Sequence, residues 1–388
     1  MASQRDGDGG NDLVFAVLML ILVAIAAAGG GLKLTNPPKP NKPRDARPAP
    51  AAPGFPPGDA SLAAWRGIPQ GYLPLYVGAA GAARRQGCRA LSWQVLAGIG
   101  SVESDHGRSR APGVRSGANF AGAAGPMQFG IGGKAGNTWG GSRGGGPRHP
   151  APPRGADAGV WGAGVDGSGN RVADVYDPRD AIPAAAGKLC RDGLASAAQV
   201  RGDKCPQLGG SAGLHQALWS YNHICSYVET VLDRARRYTG RVHGPVGVLV
   251  ARGRITTTTG AGCQPDPDLD SGRLDRRVHG LLAEVGRRHR VRISCLRSGH
   301  SRYVKGTRRV SNHTVWRAVD IDTVDGRGVG AGNRAAHRLV QWLNGLPGEL
   351  RPSEVGSPWV LPGGLTFSDE GHQGHVHVGY RARRGSPA

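Results

Sequence analysis

LSWQVLAGIGSVESDHG (residues 91–107) is the stretch on which the reading of the fold turns. Leu91 to Val102 is apolar almost all round, the pattern of a helix buried on every side. Ser92 is placed to cap its start. Gly98 and Gly100 each cost a helix about 1 kcal/mol, so close packing against them is expected. Glu103 ends the run. Two effects there favour its protonated form: apolar surroundings desolvate the anion, and the helix C-terminus is the negative end of the macrodipole. That is the setting of a general acid, whereas a glutamate at an exposed helix end is an ordinary solvated carboxylate.

Outward from this stretch the chain stays helical. GAAGPMQF (122–129) and ALWSYNH (217–223) follow it. Leu214, Ala217, Leu218 and Tyr221 fall at helical spacing, and Tyr227, Val228, Val231, Leu232 and Ala235 make a second face. Asp177, Pro178 and Asp180 read as the N-cap, N1 and N3 of another helix, which Pro183 is expected to kink. Residues 59–240 therefore read as one mostly-α domain. Within it, 138–177 is a Gly/Pro/Arg-rich insertion. Its Asp166-x-Ser168-x-Asn170 is similar to part of a calcium loop but lacks the glutamate at position twelve, so a flexible rim loop is the expectation.

The TTTT and glycine clusters of 241–262 read as a linker, and 263–382 as a second domain. Leu274, Val278, Leu281, Leu282 and Val285 make a helix face, VRISC (291–295) alternates like a strand, and Ala336, Leu339, Val340 and Leu343 make a second helix ending near Gly345. That is an α+β pattern. Its chemistry sits in SNHTVWRAVDID (311–322) and GHQGHVHVGY (371–380). Residues two apart on a strand share a face, so His375 and His377 point together while Val376 and Val378 enter the core. Two imidazoles and a carboxylate with an open fourth position are the ligand set of a catalytic zinc.

In the other direction lies an uncharged run at 13–32, LVFAVLMLILVAIAAAGGGL, between a polar tail (1–12) and a Pro-rich spacer (33–58). About 20 apolar residues span a bilayer, so the expectation is a fold headed by a transmembrane anchor. A cleaved signal peptide is the alternative, with Ala26 to Ala28 at its cleavage site. Residues 383–388 read as a tail. The net charge of +21 is carried by 42 Arg against 7 Lys. This composition fits a GC-rich genome as well as an anionic partner such as cell wall or lipid. The arginines are dispersed and no recognition motif accompanies them, so a nucleic-acid partner is not expected. The cysteines at 88, 190, 205, 225, 263 and 295 contain no Cys-x2-Cys pair and suit disulfides in an oxidising compartment, four in one half and two in the other.

Taken in order, IPQGYLPLY (68–76), WQVLAGIGSVESDHG (93–107), GANFAGAAGPMQF (117–129), YDPRDAIPAAA (176–186) and the YN and YVETVL strings (221–222, 227–232) resemble a lytic transglycosylase of the lysozyme superfamily. The resemblance implies cleavage of the MurNAc–GlcNAc bond of peptidoglycan. Glu103 matches the family's catalytic glutamate, and Gln128, Tyr221 and Asn222 match positions that line the glycan groove. Ordinary glycosidases use a carboxylate pair, and only Asp105 accompanies Glu103 here. In the family's scheme Glu103 protonates the glycosidic oxygen and then takes a proton from the sugar's C6 hydroxyl, closing a 1,6-anhydro ring. A hydrolytic, lysozyme-like outcome stays open.

Ser-x-His-x6-Asp followed by a terminal His-x-His is similar to zinc D-Ala-D-Ala carboxypeptidases and murein endopeptidases, relatives of the Hedgehog zinc fold. On that resemblance His313, Asp320 and His377 are the metal ligands of one zinc and His375 is the active-site base, with Glu370 as alternative. Arg297 matches an arginine that steadies the oxyanion. Trp316 departs from the family, which has Gly there. Together the strings imply a membrane-anchored, bifunctional, actinobacterial-type peptidoglycan hydrolase outside the cell membrane, with glycan strands and stem peptides as substrates and a secretion or conjugation apparatus as partner. The alternative is a wall-binding or scaffold component of such an apparatus with inactive sites.

Overall fold

The computed structural model describes residues 59–153, 155–195, 200, 202–242, 244–258 and 262–382. Helices α1 (Leu62–Gly67), α2 (Leu73–Arg85) and α3 (Trp93–Ser104) open it. The short pair β1 (Ala123–Ala124) and β2 (Phe129–Gly130) and the pair β3 (Arg148–Pro150) and β4 (Val172–Asp174) follow. Then come α4 (Pro178–Leu189), α5 (Ala212–Trp219) and α6 (Cys225–Tyr238). Ser92 caps α3, its hydroxyl accepting from the Val95 amide. The two glycines of α3 let neighbours come close: a Cβ on Gly98 would stand 2.6 Å from the Val231 carbonyl, and one on Gly100 2.0 Å from the Tyr76 hydroxyl. Asp177 caps α4, which continues through Pro183 to Leu189.

In the insertion, the Asp166 carboxylate accepts from the amides of Gly169, Asn170 and Arg171 and from the Ser168 hydroxyl. Its lone pairs are spent on its own loop, which makes the segment a self-closed turn.

The remaining elements are α7 (Gly244–Ala251), β5 (Ile255–Thr257), α8 (Pro265–Asp270), α9 (Arg276–Arg288), β6 (Val291–Cys295), β7 (Ala318–Val324), β8 (Arg327–Gly328), α10 (Arg334–Asn344), β9 (Glu354–Gly356), β10 (Thr366–Phe367) and β11 (Val376–Gly379). The strands form one mixed sheet in the order β10-β9-β11-β7-β6-β5, with β8 on β7. β10 runs parallel to β9 and β5 to β6; the pairs between them are antiparallel. Val278, Leu281, Leu282 and Val285 of α9 are fully buried, as are Ala336, Leu339, Val340 and Leu343 of α10.

Two expectations about the fold are corrected. No helix among the described residues is long and apolar enough to cross a membrane. The longest, α6, has 14 residues, about 21 Å of helix against a hydrocarbon core of about 30 Å. The fold class headed by a transmembrane helix is therefore withdrawn, and the run 13–32 on which it rested lies outside the described residues.

The second correction concerns 241–262, which is not a bare linker. It contains α7, with Val246, Leu249 and Val250 buried, and β5, which joins the sheet. Helix α7 packs on α1 and on α9, and the Trp65 ring lies 2.1 Å from where a Gly247 Cβ would be. Around it Arg66 pairs with Asp266 at 2.6 Å, and the Leu62 amide donates to Asp270 at 2.7 Å. The described residues, from 59 to 382, thus belong to one compact unit with a continuous core. The apolar string PVGVLV lacks a polar face because both sides of its helix are covered; its glycines and the threonines after it mimic loop signals.

Candidate functional sites

Glu103 occupies the last turn of α3, where Asp105 and His106 adopt left-handed backbone (φ 50° and 54°) and stop the helix. The residue is half-buried and keeps some contact with solvent, while enough protein surrounds the carboxyl to desolvate it. Burial pushes its pKa up to about 7, against the opposing pull of a hydrogen bond from Tyr227, whose hydroxyl donates to Glu103 Oε1 at 2.7 Å. Asp105 does not complete a carboxylate pair: it is exposed and bound to Arg108 at 2.6 Å.

The three groove residues expected from the sequence are held in different ways. Tyr221 is close enough that, after burial, the Glu103 charge pushes its pKa up further; its hydroxyl donates to the Met127 carbonyl at 3.3 Å. Gln128 has φ 49°, accepts from Asn119 at 3.0 Å and donates to the Gly125 carbonyl at 2.8 Å. Asn222 is held by its backbone, between Leu218 and Ile224. None of the three hydrogen-bonds Glu103 among the described residues. Tyr227 does, and the sequence reading missed it because it registered only as one position of an apolar helix face. A hydroxyl on such a face was the available signal.

The second site is built by sheet register. Across β6, β7 and β11, Cys295 and His377 both stand opposite Asp320. Cys295, His313 and Asp320 are buried, their donor atoms lie within 4.8 Å of one another, and the group could hold a metal ion. The Cys295 sulfur is bonded to Cys263, which leaves no thiolate to ligate. A closer set of donors meets at the same place. His313 Nε2 lies 3.1 Å from Asp320 Oδ1 and 3.0 Å from His377 Nδ1, and His377 Nδ1 lies 2.9 Å from Asp320 Oδ1.

The outer nitrogens are engaged too. His313 Nδ1 lies 2.6 Å from the Leu296 carbonyl and His377 Nε2 lies 3.3 Å from Glu354 Oε1. Both partners are acceptors, so each ring donates outward and turns its other nitrogen inward. Burial works against charge here, yet the imidazoles of His313 and His377 hold Asp320 well below the usual carboxylate range. The His377 hydrogen bond draws Glu354 down to about 2. Burial also opposes the His377 imidazolium, but Asp320 and Glu354 outweigh it and push its pKa up to about 9. The pocket strongly favours a positive charge.

His375 stands beside this group, its Nε2 3.7 Å from Asp320 Oδ1. Glu370 is exposed on a short turn. Arg297 is exposed with its guanidinium 5.2 Å from the centre of the Trp316 ring. Glu354 and His300, whose ring stacks on His313 at 4.1 Å, were not singled out in the sequence. Glu354 lies outside every motif and reaches His377 only through the β9–β11 pairing.

All six cysteines are paired, as Cys88–Cys190, Cys205–Cys225 and Cys263–Cys295. No protein-family model, curated protein or solved structure matches the chain.

Proposed function

We propose that the chain is a bifunctional peptidoglycan-cleaving enzyme of the extracytoplasmic space, with a glycan-cleaving site at Glu103 and a zinc peptidase site at His313, Asp320 and His377. The observation that carries the glycan half is a carboxyl held near pKa 7 with Asp105 turned to Arg108 and no carboxylate partner among the described residues. Such a group is protonated often enough to act as acid and deprotonated often enough to act as base near neutral pH. Glu103 donates its proton to the glycosidic oxygen as the C1–O bond breaks. The resulting carboxylate, steadied by the Tyr227 hydroxyl, accepts the proton of the C6 hydroxyl, whose oxygen closes on C1 to give the 1,6-anhydro sugar. No water is consumed.

For the peptide half, the donor set fits zinc. Donors about 2.0–2.1 Å from a tetrahedral ion stand about 3.3 Å apart, close to the 2.9–3.1 Å spacing here. His313 and His377 would hold the ion with inward nitrogens already set by Leu296 and Glu354, and Asp320 would supply the negative charge. When bound, zinc supplies Lewis acidity and activates water at neutral pH. Within this chain, His375 is the group beside the ligands that can take or give a proton. Three disulfides support an oxidising location.

The test is digestion of purified peptidoglycan with mass analysis of the fragments, with and without a chelator. The expected result is 1,6-anhydro ends in both digests and cleaved stem peptides only without chelator. Reducing ends would make the first site a hydrolase, and uncut stem peptides with zinc present would refute the second.

A further inference from the structure

Helix α8 carries aspartates at 266, 268 and 270, and the three do not share a face. Residues four apart lie on one side of a helix, and the residue midway between them lies on the other. Asp266 and Asp270 face the first half of the chain: Asp266 pairs with Arg66 at 2.6 Å, and Asp270 accepts from the Leu62 amide at 2.7 Å. Asp268 faces the metal half. It is 2% exposed, and its carboxylate accepts from the Arg297 amide at 2.8 Å, the Ser298 amide at 2.7 Å and the Ser298 hydroxyl at 2.5 Å.

The Arg297 amide belongs to the same peptide unit as the Leu296 carbonyl, which lies 2.6 Å from His313 Nδ1. That unit is trans and planar, so its N–H and C=O point in opposite directions. Holding the N–H on Asp268 therefore aims the C=O at His313. Hydrogen bonds in series also polarise one another. A carboxylate on the N–H makes the C=O a stronger acceptor, which keeps the His313 proton on Nδ1 and leaves Nε2 free for an ion. A carboxylate in direct contact with a ligating histidine fixes its tautomer and basicity; here a peptide group stands between the two. The anchor does not depend on the loop it holds, because Arg66 and Leu62 fasten α8 on its far side.

We propose that Asp268 is a positioning residue of the metal centre, a carboxylate that sets the tautomer and the zinc affinity of His313 through the 296–297 peptide group. Its effect on zinc rests on the zinc reading of His313, Asp320 and His377; its effect on the tautomer does not.

Two measurements on the full chain test it. NMR correlation of the ring nitrogens with their protons reads the His313 tautomer in the metal-free chain, and chelator competition reads zinc affinity. The unaltered chain should hold the proton on Nδ1. Asp268→Asn turns amide hydrogens towards the donors of the loop. It should give a mixture of tautomers and about tenfold weaker zinc binding, the low end for loss of an outer partner. Ser298→Ala removes a donor from the same carboxylate but leaves the 296–297 peptide bonded at both ends, so tautomer and affinity should stay unchanged. A proton on His313 Nε2 in the unaltered chain overturns the proposal, whether or not Asp268→Asn folds. So does an unchanged tautomer in Asp268→Asn, or a Ser298→Ala variant that loses as much zinc affinity as Asp268→Asn, which would make loop stability the cause. An unaltered chain that takes up no zinc refutes the zinc reading instead, and the tautomer then decides the role of Asp268.

Discussion

Replacing Glu103 with Gln removes a carboxyl whose proton the fold retains, and the consequence for stability has a definite sign. In the unfolded chain the group titrates at its usual 4.5; in the fold, burial raises this to about 7. The native state therefore holds the proton more tightly. The stabilisation from this is fully present below pH 4.5 and is lost as pH rises through 7. At about 1.4 kcal/mol for each tenfold change in proton affinity, the loss reaches about 3 kcal/mol, an upper value because Glu103 keeps some solvent contact. Glutamine keeps the shape and never ionises. The stability of Glu103→Gln minus that of the unaltered chain should be near zero at pH 4.5 and widen toward about 3 kcal/mol by pH 8. Urea unfolding at a series of pH values measures this, read as a shift in midpoint at constant m-value. The same variant should lose glycan cleavage by about 10²–10⁴-fold. A stability difference that stays flat from pH 4.5 to 8 would refute the claim that burial governs this carboxyl.

Tyr227→Phe removes the hydroxyl that favours the Glu103 anion, so the alkaline limb of the glycan-cleavage profile should move up by about one pH unit; a limb that stays put or moves down would contradict this. Glu354→Gln leaves the three inner donors but weakens the acceptor that orients His377. Zinc affinity, measured by chelator competition, should fall about 10–100-fold, and an unchanged affinity would remove Glu354 from the site. The Cys88–Cys190 bridge closes 102 residues of chain, so replacing both cysteines with serine should cost about 3–5 kcal/mol in denaturant unfolding. A loss below about 1 kcal/mol would count against that constraint. Thiol titration of the denatured, unreduced chain should find no free thiol.

Local pattern by itself determined a good deal. The apolar run ending at Glu103, the helix faces at 278–285 and 336–343, and the period-2 alternation around His377 were readable because burial on one helix or strand is written at 3.6- or 2-residue spacing. Strand spacing also brought Asp320, His375 and His377 forward as candidates, and the family resemblance added His313. The anchor inferred from 13–32 found no support among the described helices, and the supposed linker proved to carry a buried helix, because a short all-apolar segment has no polar face to reveal it.

Only the tertiary structure decided the rest. Tyr227 is 124 residues from the carboxyl it serves, Glu354 is 23 from His377, and Arg273 comes over the Trp316 ring where the Asp275 amide donates to the Trp316 carbonyl. No local period encodes such pairs. The packing of α3 against α6 and the register of β6, β7, β9 and β11 set them, and register is fixed by the sum of many weak burial preferences across the sheet rather than by the residues that do the chemistry.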